Sequence, residues 1–170
     1  EVSPDSVECA EFQKTWTDAI EARNNPIVVL FLHTRLFSDF KVDGKEVSPG
    51  SPEHDEVIFG IFDEFKEQAK AAGAGKLAIA NMACHNRVDF GNVPNISRSN
   101  DFEATKHMND LVDQWSQEND ATVFDQYSML CEGDKYFDGI NGVELYDDGL
   151  HFTWKSAPII WQWLAYEIRK

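Results

Sequence analysis

Two continuous apolar runs joined by a helical pattern constrain the fold of this chain most strongly. The runs are Ile27–Leu32 and Leu77–Met82, and neither alternates apolar with polar residues. Uninterrupted apolar strands are typical of a parallel sheet whose two faces are both covered. Between the runs, apolar residues recur at helical spacing from Ile58 to Ala72, after the helix-capping pair Ser51-Pro52. The segment therefore predicts a strand, a crossover helix and a second parallel strand.

The same alternation of helices and strands extends over the rest of the chain. Apolar spacing predicts three further helices and one short strand, over about 6–24, 101–118, 155–169 and 121–125. We therefore expect residues 1–170 to form one three-layer α/β/α domain with a parallel sheet. The strand at 27–32 is expected to be buried on both faces and to need a further neighbour, so the sheet is predicted to lack its first strands in this chain. Long loops are expected at 33–51, 84–100 and 132–147.

The charge balance excludes several classes of partner. Thirty acidic residues against 15 basic ones give a net charge of −15. Nucleic acids and anionic lipid surfaces need a basic footprint, so we expect binding to neither. No apolar run is long enough to span a bilayer, so no membrane insertion of this chain is expected. Metal-ligand spacings and glycine-rich phosphate loops are also missing from the sequence, so neither a metal nor a cofactor is predicted.

The strongest candidate for chemistry is the pair Asp148 and His151, just before the closing helix. In parallel sheets, ligands bind beyond the carboxyl ends of the strands, and the loop that follows the last predicted strand contains this pair. A carboxylate three residues before an imidazole can hold the ring in one orientation and tautomer, as a general base requires. The alternative interpretation is a surface Asp beside a half-buried His.

Other polar residues follow the first two strands at the same edge of the sheet. His33, Arg35 and Asp39 are candidates for lining a pocket or binding a substrate oxygen, with a solvated loop as the alternative. Cys84-His85 is a conceivable nucleophilic pair, although sequence neighbours rarely face each other productively.

The sequence contains no recognisable serine nucleophile. It has neither a Gly-x-Ser-x-Gly motif nor a Gly-Asp-Ser motif. Ser38 and Ser128 lie near strand ends but lack the glycine of a sharp turn. His54 and His107 fall on predicted helices and are interpreted as structural or solvated.

The order of these elements resembles the SGNH/GDSL hydrolase superfamily, and in particular the extracytoplasmic SGNH domain attached to membrane acyltransferases that O-acetylate cell-surface glycans. The matching blocks are spread over most of the chain, at Asn25–Leu30, Phe37–Gly44, Cys84, Leu130-Cys131, Asp138-Gly139 and Asp148–Thr153. The last block is the most specific, since in the family it holds the Asp and His of a catalytic triad. The Gly-Asp-Ser block of the family has no match here, and the oxyanion block corresponds to His33-Thr34-Arg35.

The resemblance implies a serine esterase or O-acyltransferase that acts on O-acetylated or acetyl-accepting glycans, with a glycan or a small acyl ester as the substrate partner. His151 would be the general base and Asp148 the carboxylate that orients it. His33, Thr34, Arg35 and Asp39 would be the candidates for substrate and oxyanion contacts. The nucleophilic serine would come from a companion segment upstream of this chain, which would then be the C-terminal portion of the domain.

The resemblance also implies pairings for the three cysteines. Cys84 would pair with Cys131, and Cys9 with a cysteine upstream of this chain, which implies an extracytoplasmic location. Two alternatives remain open for the function. The domain is either a degenerate SGNH fold that only binds glycan or a protein partner, or an unrelated α/β domain in which the Asp-His pair is incidental.

Overall fold

A computed structural model describes residues 4–87, 96–133 and 135–170, and for 4–10, 12, 13 and 96 only the backbone. The helices are α1 (Pro4–Glu21), α2 (Pro52–Ala71), α3 (Phe102–Asn119), α4 (Gln126–Leu130) and α5 (Ala157–Glu167). The strands are β1 (Ile27–Phe31), β2 (Phe40–Val42), β3 (Lys45–Val47), β4 (Lys76–Ala80), β5 (Thr122–Phe124), β6 (Cys131–Glu132), β7 (Lys135–Tyr136), β8 (Gly139–Ile140) and β9 (Val143–Glu144).

The central sheet contains three parallel strands in the order β1-β4-β5. Leu30 of β1 pairs with Ile79 of β4, which in turn pairs with Val123 of β5. Helix α2 connects β1 to β4, and α3 connects β4 to β5. Ser51 caps α2 by accepting a hydrogen bond from the His54 amide, with Pro52 in the first turn, as the sequence predicts. The predicted parallel sheet with crossover helices is confirmed.

Alternate side chains of the sheet pack against helices on its two faces. Leu30 and Ile79 point to a core shared with α2 and α3, in which Phe62 and Trp115 pack edge to face at 5.7 Å. On the opposite face, residues of β4 and β5 pack against Leu164 of α5. Because helices cover both faces, the three-layer α/β/α class predicted from the sequence is confirmed.

The first strand is less buried than its apolar sequence predicts. Ile27 is 37% exposed and Phe31 is 46% exposed, whereas the whole of 77–80 in β4 is buried. The reason is position: among the described residues β1 pairs only with β4, so it forms an edge of the sheet. Beside it, a groove of about 650 Å³ runs between α1, β1 and α2, with Trp16 and Phe65 among its lining residues. The expectation of burial on both faces was therefore wrong.

The segments expected to be plain loops contain short ordered elements. The first includes a 3-10 helix, Thr34–Phe37, and the antiparallel hairpin β2–β3. The last includes the hairpins β6–β7 and β8–β9. Around them a second apolar cluster forms, in which Leu130 and Leu145 are fully buried. In the part of the chain that the structure describes, no helix is both long and apolar enough to cross a membrane.

Candidate active site

Asp148 and His151 are in direct contact. The Oδ2 atom of Asp148 lies 2.8 Å from Nδ1 of His151, and Oδ1 accepts hydrogen bonds from the amides of Leu150 at 3.0 Å and His151 at 2.8 Å. Desolvation opposes ionisation of Asp148, but these backbone and ring hydrogen bonds outweigh it and lower the pKa of the carboxyl to about 2. The carboxylate is therefore ionised at neutral pH and holds Nδ1 as a proton donor. Nε2 of the neutral ring is then free to accept a proton.

The turn that carries the pair is closed by backbone contacts. The Asp147 amide donates to the His151 carbonyl at 2.9 Å, and Tyr146 forms a β-bridge with Phe152. The ring of Tyr146 is stacked between Tyr136 and Phe152, at 5.0 and 5.2 Å. These stacked aromatic rings pack at the base of the turn. The side chain of His151 is 67% exposed to solvent.

Gly149 lets the loop after β4 approach this turn. Its φ of +80° is unfavourable for other residues, and a side chain there would collide with the Asn86 carbonyl oxygen. The Asn86 amide donates to the Gly149 carbonyl at 3.2 Å. Next to it, Arg87 is held by Asn100, which accepts from the Arg87 amide at 3.1 Å and donates to the Arg87 carbonyl at 2.7 Å. The guanidinium Nε of Arg87 is thereby placed 4.0 Å from Oδ2 of Asp148.

His33 brings the loop after β1 to the same place. Its Nδ1 accepts a hydrogen bond from the Arg35 amide at 3.0 Å, so in the neutral ring the proton is on Nε2. Burial lowers the pKa of His33, and so do the nearby charges of Arg35, His151 and Arg87. A neutral His33 with an Nε2–H donor therefore lies within electrostatic range of His151.

Asp39 and Thr34 of this loop are not shown at the Asp148–His151 turn, and the observed hydrogen bond of Arg35 to His33 is made by its backbone amide. Asp39 forms an ion pair with Arg98 at 2.9 Å, and its side chain is only 14% exposed. Thr34 is buried, and its hydroxyl has no hydrogen-bond partner in the described parts of the chain. The fold thus brings His33 to the Asp148–His151 turn but uses Asp39 to tie its own loop to the segment at 96–100.

The predicted disulfide between Cys84 and Cys131 is present. Both cysteines are buried, and the Cys84 amide points at the Cys131 sulfur at 2.9 Å. The bond ties the loop after β4 to the end of α4. A disulfide sulfur is not a thiolate, so the conceivable Cys84-His85 nucleophilic pair was wrong. The side chain of Cys9 lies outside the described residues, and so does its predicted pairing.

Sequence reasoning named His85 only as half of a nucleophilic pair with Cys84, and it missed Arg87 as part of this site. His85 is 8% exposed, and its Nδ1 has no hydrogen-bond partner among the described residues. Burial lowers the pKa of His85 to about 4, partly offset by its contact with the Ser99 backbone, and the ring lies in electrostatic range of His33. The available signal was position, since both residues directly follow a buried strand at the carboxyl edge of the sheet.

The two helical histidines differ from His151. His54 is buried and stacks on Phe40 at 5.2 Å between ring centroids. His107 contacts Asp55 through Nε2 at 2.8 Å, between α3 and α2. Among the residues whose side chains the structure describes, no serine hydroxyl hydrogen-bonds to His151, whose ring contacts Asp148. Within the same residues no group of three or more His, Cys, Asp or Glu side chains could hold a metal ion.

A solved structure with a similar fold is known. The chain is similar to a crystal structure from Bacteroides fragilis described as that of a "putative acylhydrolase", with a TM-score of 0.59 and 17% sequence identity. The likeness covers 92% of this chain and 69% of the other. No protein-family model matches the chain. No curated protein matches it either. At this identity the likeness bears on the fold alone, and it agrees with the predicted α/β domain built on a parallel sheet.

Proposed function

We propose that this chain is the part of an SGNH-type serine esterase or O-acyltransferase that supplies the general base. The observation that carries the proposal is the Nδ1–Oδ2 contact of 2.8 Å between His151 and Asp148, with the ring exposed at the carboxyl edge of a parallel sheet. A carboxylate on Nδ1 leaves Nε2 to take a proton from a nucleophile, which is the arrangement that acyl transfer to serine requires.

The reaction would proceed in two steps. His151 Nε2 removes the proton of a serine hydroxyl as its oxygen attacks the ester carbonyl, and then returns that proton to the departing alcohol. The resulting acyl-enzyme is cleaved when His151 activates water or a sugar hydroxyl in the same way, so that the serine is regenerated. The Nε2–H of His33 is a suitable donor to the negatively charged oxygen of the intermediate, because its Nδ1 is already occupied by the Arg35 amide.

The open edge of β1 is where the proposed companion segment would bind. Ile27 and Phe31 expose apolar surface there, beside the groove between α1 and α2. An edge strand presents unpaired amide and carbonyl groups that can pair with an added strand. A parallel strand at that position would end at the same edge of the sheet as His33 and His151. Its carboxyl end is where the nucleophilic serine is proposed to lie.

The proposed substrate is an O-acetylated or acetyl-accepting glycan. Trp154, three residues after His151, is 81% exposed, which is unusual for so large an apolar side chain. A flat aromatic ring of this kind offers a surface on which the C–H face of a sugar can pack. The buried disulfide favours an oxidising, extracytoplasmic compartment, in keeping with a domain attached to a membrane acyltransferase.

A second candidate function is binding without catalysis. It is favoured by one observation, that no serine hydroxyl among the described side chains hydrogen-bonds to His151. Labelling of the full-length protein with a fluorophosphonate probe separates the two candidates, because the probe bonds only to an activated serine and releases fluoride. We expect one labelled serine by peptide mapping, with labelling abolished by His151→Ala and retained by His107→Ala. Absence of labelling in the wild-type protein would favour the binding domain.

A further inference from the structure

Arg87 is the charged side chain at the site that the proposed mechanism does not use. Its side chain is 22% exposed, and Nε is buried with no hydrogen-bond partner among the described residues. The 4.0 Å to Asp148 is too long for a hydrogen bond. The side chain of Asn100 hydrogen-bonds to both the amide and the carbonyl of Arg87, which fixes the backbone of Arg87 at this point. A planar fork of N–H donors is therefore held at the site without a bonded acceptor in the described structure.

The acidic residues nearby do not satisfy this guanidinium. Asp148 already accepts two backbone amides and contacts the His151 ring. Asp39, in the loop after β1, is paired with Arg98 at 2.9 Å. Arg35 adds a second positive charge within range of His33. Arg87 and Arg35 thus place two positive charges within range of His33, in a chain whose net charge is −15.

We propose that Arg87 binds a carboxylate of the substrate beside His151, so that the site selects acidic sugars, such as O-acetylated uronic acid residues, over neutral ones. Arg87 lies at the Asp148–His151 turn and supplies a charged fork that matches a carboxylate. The esterase part of this statement rests on the proposed function, but binding of the acidic sugar does not require the serine. The net negative charge of the chain disfavours binding of such anionic ligands at other surfaces.

The test is a titration of the protein with glucuronate and with glucose at constant ionic strength, in which the histidine ring signals are monitored by NMR. Glucuronate has a carboxylate where glucose has a CH2OH group. We expect glucuronate to give saturable shifts of the His33 and His151 signals, and glucose to give none. Arg87→Gln should weaken glucuronate binding by about tenfold or more. The glucuronate affinity of Arg87→Lys should lie between those of the wild type and Arg87→Gln. Arg169→Gln, a control outside the site, should bind as the wild type does.

Equal shifts with both sugars, absence of saturable shifts, or wild-type affinity in Arg87→Gln would overturn the inference. The wild-type contrast between the two sugars needs no variant, so a folding defect in Arg87→Gln cannot hide the result. Failure here is also distinguishable from failure of the proposed function. Glucuronate binding without fluorophosphonate labelling removes the esterase alone, whereas labelling without discrimination between the sugars removes the acidic-sugar subsite alone.

Discussion

His107 and Asp55 form a contact of 2.8 Å, the same distance that separates His151 from Asp148, but through the opposite ring nitrogen. Asp55 contacts Nε2 in a pair that joins two helices, whereas Asp148 contacts Nδ1 within a single turn. His107 is also less exposed, at 43% against 67% for His151. The chain thus contains its own control pair, with similar chemistry at a site where no substrate is proposed to bind.

The Gly149 turn is predicted to depend on close approach as well as on backbone conformation. Gly149→Ala should destabilise the fold by about 1–3 kcal/mol through strain at positive φ, and more through collision with the Asn86 carbonyl. Gly142→Ala is the matched control, because Gly142 has a φ of +78° with open space around it. Urea unfolding of both variants separates the two effects. Equal losses of stability would show that the contact with Asn86 is unimportant.

The disulfide is predicted to stabilise the loops that carry the site. Cys84 and Cys131 are 47 residues apart, and closing a loop of that size typically contributes about 2–4 kcal/mol. The double variant Cys84→Ser/Cys131→Ser should therefore melt at a lower temperature than the oxidised protein. Added dithiothreitol should lower the melting temperature of the wild type but not that of the double variant. If dithiothreitol leaves the melting temperature of the wild type unchanged even under conditions that expose the cysteines, the result would count against the Cys84–Cys131 disulfide.

His85 is predicted to make the fold sensitive to mild acid. Burial lowers its pKa from the ordinary histidine value of 6.5 to about 4, so below pH 6.5 the unfolded chain binds a proton that the folded chain excludes. Stability is thus present above pH 6.5 and declines as the pH falls towards about 4. The difference corresponds to roughly 3 kcal/mol. The free energy of unfolding, measured at pH 7 and at pH 4.5, should differ less between the two pH values for His85→Gln than for the wild type or His107→Gln. An equal change in all three would contradict the assignment.

The elements that the sequence predicted are those with long, regular apolar spacing. Helices α2 and α3 and the strand β4 fall close to their expected bounds, because burial imposes a pattern on many residues at once. The short strand β5 was predicted from its apolar residues after α3, whereas the hairpins β2–β3 and β8–β9, whose strands have only two or three residues, were missed. The exposure of β1 was also missed, because the position of a strand in the sheet depends on pairing that the sequence of one strand does not contain.

The candidate site divides in the same way. The contact between Asp148 and His151 follows from local spacing, and so the sequence predicted it. Their catalytic role stays a prediction. His33 was expected at this edge of the sheet because it follows a strand, whereas the approach of Arg87 to Asp148 depends on separate loops meeting beyond the sheet and on Gly149 allowing close contact with Asn86. Such long-range relationships leave no spacing in the sequence by which they could be recognised.

The most direct test of the account is the rate of p-nitrophenyl acetate hydrolysis by the full-length protein and its histidine variants. We predict that His151→Ala lowers kcat by at least about a hundredfold, because Nε2 of His151 is the proposed acceptor of the serine proton. Asp148→Asn should have a similar effect, since an amide favours the wrong tautomer of His151. His107→Ala should hydrolyse the ester at the wild-type rate. Wild-type turnover in His151→Ala would contradict the central claim.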